Sequence, residues 1–314
     1  MKNRIYIIIL AVLSMSFLNV QAQENTLKEK WPALNGHKFL SSNMLRSSFI
    51  TTHLQADIGL GSTSALEING IMIDEHEILS FEGKIMFFDM KVRYQQRFTP
   101  WLALYMSYKM SGRLGSDMST ILADGVNTLS GTDIGWLIRL KQSDKYKLAA
   151  SIGLNNITGN FVNVKQYISE VVNGEPYPSV IKKVPAMSVV AGLRTAYAFN
   201  STFGLQFQAD YAYGETLERA VSGGYFSGSI LGDVDFLPKH DLPLGLALGY
   251  TISSSPEIVM SDGGTANMFT GKIAYTGSDD FELGFQYVYY NTNLKSVNSS
   301  PFISKAVLNL KFYF

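Results

Sequence analysis

The chain has no cysteine among its 314 residues. That excludes thiolate catalysis, disulfide frameworks and cysteine-ligated metal sites. Charge is scarce too. Charged residues make up 17% of the sequence, against roughly 25% in a typical soluble protein. The 26 basic and 26 acidic residues cancel, with a pI near 6.9, so there is no basic excess of the kind that wraps nucleic acid. Beyond residue 22 no apolar run reaches the 18 or so residues of a spanning helix. What is abundant is aromatic and small: 17 Tyr, 19 Phe and 27 Gly.

The first segment has the layout of a secretory signal peptide. Lys2 and Arg4 give a positive start, Ile5 to Leu18 is apolar, and Val20-Gln21-Ala22 places small residues before an expected cleavage after Ala22. Residues 1–22 are therefore expected to direct export. Gln23 rather than Cys follows, so no lipidated N-terminus is expected.

An exported chain without an apolar helix can still cross a membrane as a closed β-barrel, in which every backbone group pairs with a neighbouring strand. The pattern to seek is segments of about 10 residues, apolar at alternate positions, with short and long connections alternating. It recurs along residues 49–314. Leu54, Ala56, Ile58 and Leu60 interleave with His53, Gln55, Asp57 and Gly59, and Met86 to Phe98 interleaves with Phe87 to Arg97. Similar runs cover 102–110, 134–140, 148–154, 189–197, 203–213, 226–236, 244–252, 269–275, 281–289 and 306–314, with 226–236 and 269–275 the weakest. Tight links at Thr99, Ser143, Asn200, Lys239 and Ser278 alternate with long ones near 61–84, 113–131, 156–186, 215–225, 253–266 and 291–302. The fold expected is an all-β, closed antiparallel transmembrane β-barrel of about 12 strands. Its short turns should be periplasmic and its long loops extracellular.

With Leu310, Phe312 and Phe314 in outward register, the chain resembles Gram-negative outer-membrane β-barrel proteins. That resemblance implies an outer-membrane location, surrounding lipid, and recognition of the last aromatic strand by the barrel-assembly machinery. A weaker resemblance is to the long-chain fatty-acid transporter family, through a modest barrel and an N-terminal segment that reads as a plug. No Asn-Pro-Ala occurs near the N-terminus, where that family carries it. If the resemblance extended to mechanism, solute would leave through a wall defect, and the glycine-rich strand with Gly223, Gly224, Gly228 and Gly232 is where one is expected.

Residues 23–48 precede the first strand and are too polar for lipid. They read as a plug, with Trp31, Leu34, Phe39, Leu40, Met44 and Leu45 against small inward residues, or as a periplasmic tail. In the 156–186 loop, Phe161, Ile168 and Val171 fall near helical spacing, with Asn160 as a starting cap and Gly174 as an end. Glu67 to Ile71 reads as a hairpin tip, followed by a bulge or break between Asp74 and Ser80.

Function turns on the inward face. Lys91, Arg93, Arg97, Lys109, Arg113, Arg139, Lys141 and Lys147 are expected there on the second to fifth strands, with Arg194 on the sixth. Asp210, Asp233 and Asp235 are expected there on the seventh and eighth. A basic wall facing an acidic one sets a transverse field across the lumen. It suits either a pathway for small polar, anionic or amphiphilic solutes or a set of ion pairs that fill the barrel. Catalysis has little support. There is no GxSxG or HExxH stretch, and His53 and Asp57 on one strand face are about 13 Å apart. No cofactor or metal is expected. The reading is an outer-membrane channel or transporter, with a sealed partner-binding barrel as the alternative and a barrel hydrolase behind it.

Overall fold

A computed structural model describes residues 31–64, 66–73, 76–115, 125–162, 164–215, 217, 222–254, 265–291 and 302–314. The expected signal peptide at 1–22, the following residues to 30 and the tips of several long loops lie outside them.

Two short strands, β1 (Ala33–Leu34) and β2 (His37–Lys38), precede the barrel. The barrel strands are β3 (His53–Thr63), β6 (Met86–Thr99), β7 (Leu102–Leu114), β8 (Gly125–Gln142), β9 (Tyr146–Val162), β10 (Ile181–Ala198), β11 (Phe203–Glu215), β12 (Ser222–Asp235), β13 (Leu244–Ser253), β14 (Ala266–Tyr275), β15 (Phe281–Asn291) and β16 (Phe302–Tyr313). All neighbours are antiparallel, and β16 pairs with β3 to close the ring. The ring has 12 strands. Its closure ends with His53 opposite Tyr313 and the Phe314 N–H bonded to the Thr52 carbonyl at 3.1 Å. Closure leaves no unpaired strand edge, which an apolar surround demands.

The alternation read from sequence sets the faces. Ile58, Ile152, Phe207, Leu248, Phe285 and Leu308 are exposed on the outer surface, while their strand neighbours Asp57, Ser151, Gln206, Ala247, Gln286 and Val307 are buried. Aromatic pairs gather at both ends of the wall. Phe98–Trp136, Tyr197–Phe199 and Tyr275–Phe281 lie at the short-turn end, and Tyr250–Phe269 and Tyr289–Phe302 toward the long loops. Two such belts are what a membrane-spanning barrel places at its two interfaces.

The wall is uneven. β10 has 18 residues and β14 has 10, so one side stands about 25 Å of strand higher at ~3.3 Å per residue. Strands β9 and β10 run into what sequence suggests is loop, stopping only at Val162 and starting again at Ile181. Between them sits α1 (Val164–Val172), which ends at Gly174 with φ +70°, where a residue without Cβ terminates a helix most easily. Its start is later than Asn160, because Asn160 still pairs with Lys183 across β9–β10.

Two further expectations fail. Glu67 to Ile71 is no turn: it lies inside β4 (Leu66–Ile73), which pairs with β5 (His76–Gly83) as a separate two-stranded ribbon between β3 and β6. The expected bulge or break between Asp74 and Ser80 is present: β4 ends at Ile73, and the ladder slips from Ile71 opposite Leu79 to Met72 opposite Glu77, which leaves Ile78 as an extra residue on β5. Parity changes between Ile73 and Met86 because this ribbon belongs to no barrel face. Nor does the glycine-rich strand break the wall. β12 pairs with β11 from Ser222 to Asp235 and with β13 from Ser227 to Asp235 without a slip.

Candidate functional site

The candidate site is the lumen, and its lower half is occupied by the chain itself. Residues 31–52 lie against the inward side chains, entering at the short-turn end. Trp31 packs on Tyr313 at 4.8 Å, and Lys38 reaches Asp279 in a short turn at 2.5 Å. Asn35 and Gly36 both take positive φ, +50° and +77°, to turn β1 into β2. The chain then climbs. His37 Nε2 meets Asp233 Oδ1 at 2.6 Å, and the Leu40 N–H donates to Asp233 Oδ2 at 3.0 Å. Gln206 donates to the Leu40 carbonyl at 2.8 Å, and Ser41 Oγ donates to Glu282 at 2.8 Å. Lys272 donates to the Ser41 carbonyl at 2.8 Å, and Gln286 to Asn43 Oδ1 at 2.7 Å.

The highest point is Asn43 to Arg46. The Arg46 N–H donates to Gln208 at 2.6 Å, and its guanidinium pairs with Asp133 while lying 3.4 Å from the centre of the Tyr105 ring. Asp133 beside it raises the Arg46 pKa further above its ordinary value, against the pull of burial, so Arg46 stays a cation. The chain then descends to β3, with Gln95 donating to the carbonyls of Phe49 (2.8 Å) and Thr51 (2.9 Å).

Apolar side chains of this segment fill the spaces above small wall residues. Leu34, Phe39 and Phe49 meet Ala196 and Ala198, Leu40 and Leu45 meet Ala247 and Ala274, and Ile50 meets Ala103 and Ala149. The fit has one critical glycine. A Cβ at Gly204 would overlap His37 Nε2 and Asp233 Oδ1. Gly204→Val is expected to push His37 off its carboxylate and lower stability by about 1–3 kcal/mol, read as a lower urea midpoint for the folded barrel; an unchanged midpoint would contradict this packing.

Above Asn43–Arg46 the lumen opens toward the long loops as a vestibule with a cavity of about 220 Å³, walled by Lys91, Lys109, Asp133, Arg194 and Asp210 among others. Below the apex, beside His53 and Gln95, remains a void of about 20 Å³, room for about one water.

The expected charges sort by height. Lys91, Lys109, Arg194 and Asp210 wall the vestibule, and Arg113 lies further toward the long loops on β7. Arg93 also borders it but is buried and committed, bonded to Asp57 at 2.7 Å and to the carbonyls of Ser42 (2.8 Å) and Leu45 (3.3 Å). Arg97, Arg139, Lys147, Asp233 and Asp235 sit in the lower half. The backbone N–H of Arg97 donates to Thr52, Arg139 holds Gln142 at 2.9 Å, Lys147 lies over the Phe49 ring, and Asp235 accepts from Thr276 at 2.9 Å. Lys141 is a correction. A register shift between Arg139 and Lys141 sets it opposite Leu148, whose side faces outward, and Lys141 is exposed. One extra residue in a strand reverses every face after it.

The two-wall charge separation is also corrected. Asp57, Asp89 and Asp133 stand among the cations of the early strands, and Lys272, Lys305 and Lys311 among the later ones. Ion pairs form mainly between nearby strands: Arg93–Asp57, Arg194–Asp210 at 3.0 Å, Lys272–Glu282 and Lys305–Asp89. Sequence parity places all of these side chains inward. The partners are missed because parity gives the face of a residue without its height, and the four inward glutamines that hold residues 31–52 (Gln95, Gln206, Gln208, Gln286) carry no charge to attract notice.

No family model matches the chain, and no curated protein matches it. Solved structures do. The translocator domain of autotransporter NalP from Neisseria meningitidis aligns with a TM-score of 0.52 at 10% identity, covering 85% of this chain and 90% of that one. An outer membrane channel from Pseudomonas putida F1 aligns at 0.48 and 11% identity over 88% and 100% of the two chains. The NanC porin aligns at 0.45 and 8% over 82% and 100%. At these identities the likeness is one of fold: the chain has the closed antiparallel architecture of outer-membrane β-barrels.

Proposed function

We propose that the protein is an outer-membrane channel or transporter for small polar or anionic solutes, in which residues 31–52 close the lumen as a plug. Solute enters the vestibule from the long-loop side and passes when the plug shifts. One observation carries this reading: an open vestibule stands directly above residues 31–51, which are held to the wall by bonds that involve side chains, not by strand pairing. A segment held that way can leave without breaking the barrel ladder. Outer-membrane lipid is the expected surround, and residues 1–22 the expected export signal. A catalytic role finds little support in the histidines. His53 bonds Thr51 at 3.0 Å, and His37 Nε2 is taken by Asp233.

The apex tests the reading. Arg46→Ala should speed arabinose-driven swelling of proteoliposomes by roughly fivefold, the weight of about 1 kcal/mol lost from one partly hydrated ion pair and its ring contact. A rate equal to that of the wild type would count against gating at this point. Charge reversal at Arg93 is no probe of selectivity, because it would break a buried pair; Lys91 and Lys109 are the positions at which ion preference should respond.

The sealed-barrel alternative is favoured by one feature, the Lys272–Glu282 pair, whose side chains are 1% and 0% exposed and which suits a permanently filled interior. That reading expects no solute flux from either protein.

A further inference from the structure

Arg46 is tied to two sides of the lumen at once. Its guanidinium holds Asp133 on β8, and its backbone N–H donates to Gln208 Oε1 on β11 at 2.6 Å. The second tie needs the Gln208 amide to point one way round. An amide carries an accepting oxygen on one tip and a donating NH2 on the other, and the reversed amide would set N–H against N–H. Asp210 settles the direction. It stands one inward position above Gln208 on β11, and its Oδ2 accepts from Gln208 Nε2. With the NH2 held there, the carbonyl tip is left for Arg46.

Asp210 is itself fixed from the other side. Its Oδ1 accepts from Arg194 at 3.0 Å, and Arg194 also donates to Ser151 on β9. Gly192 lies between Ser151 and Asp210 in one cross-strand row, and a Cβ there would overlap Asp210 Oδ1. A glycine at that point leaves the space in which the carboxylate sits. A chain of polar contacts therefore runs from Ser151 through Arg194, Asp210 and Gln208 to Arg46, that is, from the β9 wall to the apex of residues 31–52. Asp210 and Gln208 both border the vestibule cavity. Asp210 is 15% exposed against 3% for Arg194, so the carboxylate is the member of that pair open to what enters from the long-loop side.

We infer that Asp210 is a positioning residue for the gate: it acts on the apex through Gln208, by fixing which tip of the amide meets the Arg46 N–H. A displaced Asp210 frees the amide to turn, and the apex loses its tie to β11. Release of residues 31–52 is thus controlled from the vestibule wall. The inference deepens the channel reading and rests on that segment being able to leave the lumen. It has a consequence that packing alone does not give. Gln208→Glu sets two carboxylates together, and Asp210→Asn leaves one oxygen to serve both Gln208 and Arg194. In Gln208→Glu/Asp210→Asn the direction of the contact is reversed and every group is matched again. The new amide donates to the new carboxylate, which still accepts the Arg46 N–H, and the amide oxygen still accepts from Arg194.

The test reads release without requiring flux. The chain has no cysteine, so Ser48→Cys supplies a single thiol. Ser48 is buried in the descending part of the segment, and its hydroxyl has no hydrogen-bond partner among the described residues. In residues 23–314 folded in detergent micelles, the rate at which this thiol reacts with a water-soluble maleimide measures how often the segment leaves. Asp210→Asn and Gln208→Glu should each raise that rate by about tenfold, the weight of one hydrogen bond to a buried group. Gln208→Glu/Asp210→Asn should bring it back to within about twofold of the parent. If a single variant does not fold, Gln208→Met should speed the reaction equally and Gln208→Met/Asp210→Asn no further, because Asp210 then has nothing to position. Unchanged rates in the folded single variants overturn the inference, as does a swapped pair as fast as the faster single, or further speeding when Asp210→Asn is added to Gln208→Met. A barrel whose rates follow the expected pattern and that never conducts keeps this role and removes the channel. One that conducts with rates that do not follow it keeps the channel and removes the role.

Discussion

Asp233→Ala should turn a quiet barrel into a frequently opening one. This carboxylate is the anchor of the climbing segment, accepting from His37, the Leu40 N–H and Gln206 at 2.6, 3.0 and 3.1 Å. Hydrogen bonds to a charged group contribute roughly 1.5–3 kcal/mol each, but water and Gln206 take over some of the freed donors. A net loss of about 3 kcal/mol from the closed arrangement corresponds to roughly a hundredfold rise in open probability. Single-channel records in a planar bilayer read it directly. The wall itself should survive, since Asp233 contributes only its backbone to the ladder between Gly204 and Ala247. Records from Asp233→Ala that match the wild type would remove Asp233 as the anchor.

The second large effect is on stability. Lys272 and Glu282 are both buried and paired, and Glu282 also receives Ser41 while Lys272 reaches the Ser41 carbonyl. Breaking a buried pair from one side leaves an uncompensated charge, at a cost of about 3–5 kcal/mol. Lys272→Met should therefore lower the urea midpoint of the folded barrel sharply. Lys272→Met/Glu282→Leu should recover much of the loss, because removing both partners leaves no orphaned charge. Equal midpoints for the wild type and Lys272→Met would mean that water reaches the pair, and hence that the lower lumen is not filled. The two variants separate gating from folding: Asp233→Ala acts on the segment, Lys272→Met on the wall and the segment together.

The barrel was legible because lipid makes the same demand of every strand. Outward positions such as Ile58, Phe207 and Leu308 must be apolar at each turn of the pleat, so 12 alternating segments with sorted connections suffice to name the fold. The lumen is harder to read. Inward residues answer to one another, and which ones meet depends on ring closure and strand height. Asp57 meets Arg93 from 36 residues away, and Asp233 meets His37 across 196. A single bulge removed Lys141 from the lumen, which alternation counting cannot foresee. The ribbon of β4 and β5 carries the same β-forming residues as the wall, so its separation from the barrel is likewise invisible in the pattern. The aliphatic and aromatic residues of 31–50 did signal a buried destination, and the alanines at 103, 149, 196, 198, 247 and 274 are their counterparts on the wall.

Residues 31–52 are proposed to close an otherwise continuous lumen. The most direct measurement is conductance of residues 23–314 in a planar bilayer, compared with the same protein lacking residues 31–48, after both are shown to fold by band shift and circular dichroism. Rare, brief openings are expected from the first and sustained conductance, at least about tenfold larger on average, from the second, since a barrel of this size with small inward residues leaves a water path once emptied. Two folded barrels that are equally silent, or equally conductive, would contradict it.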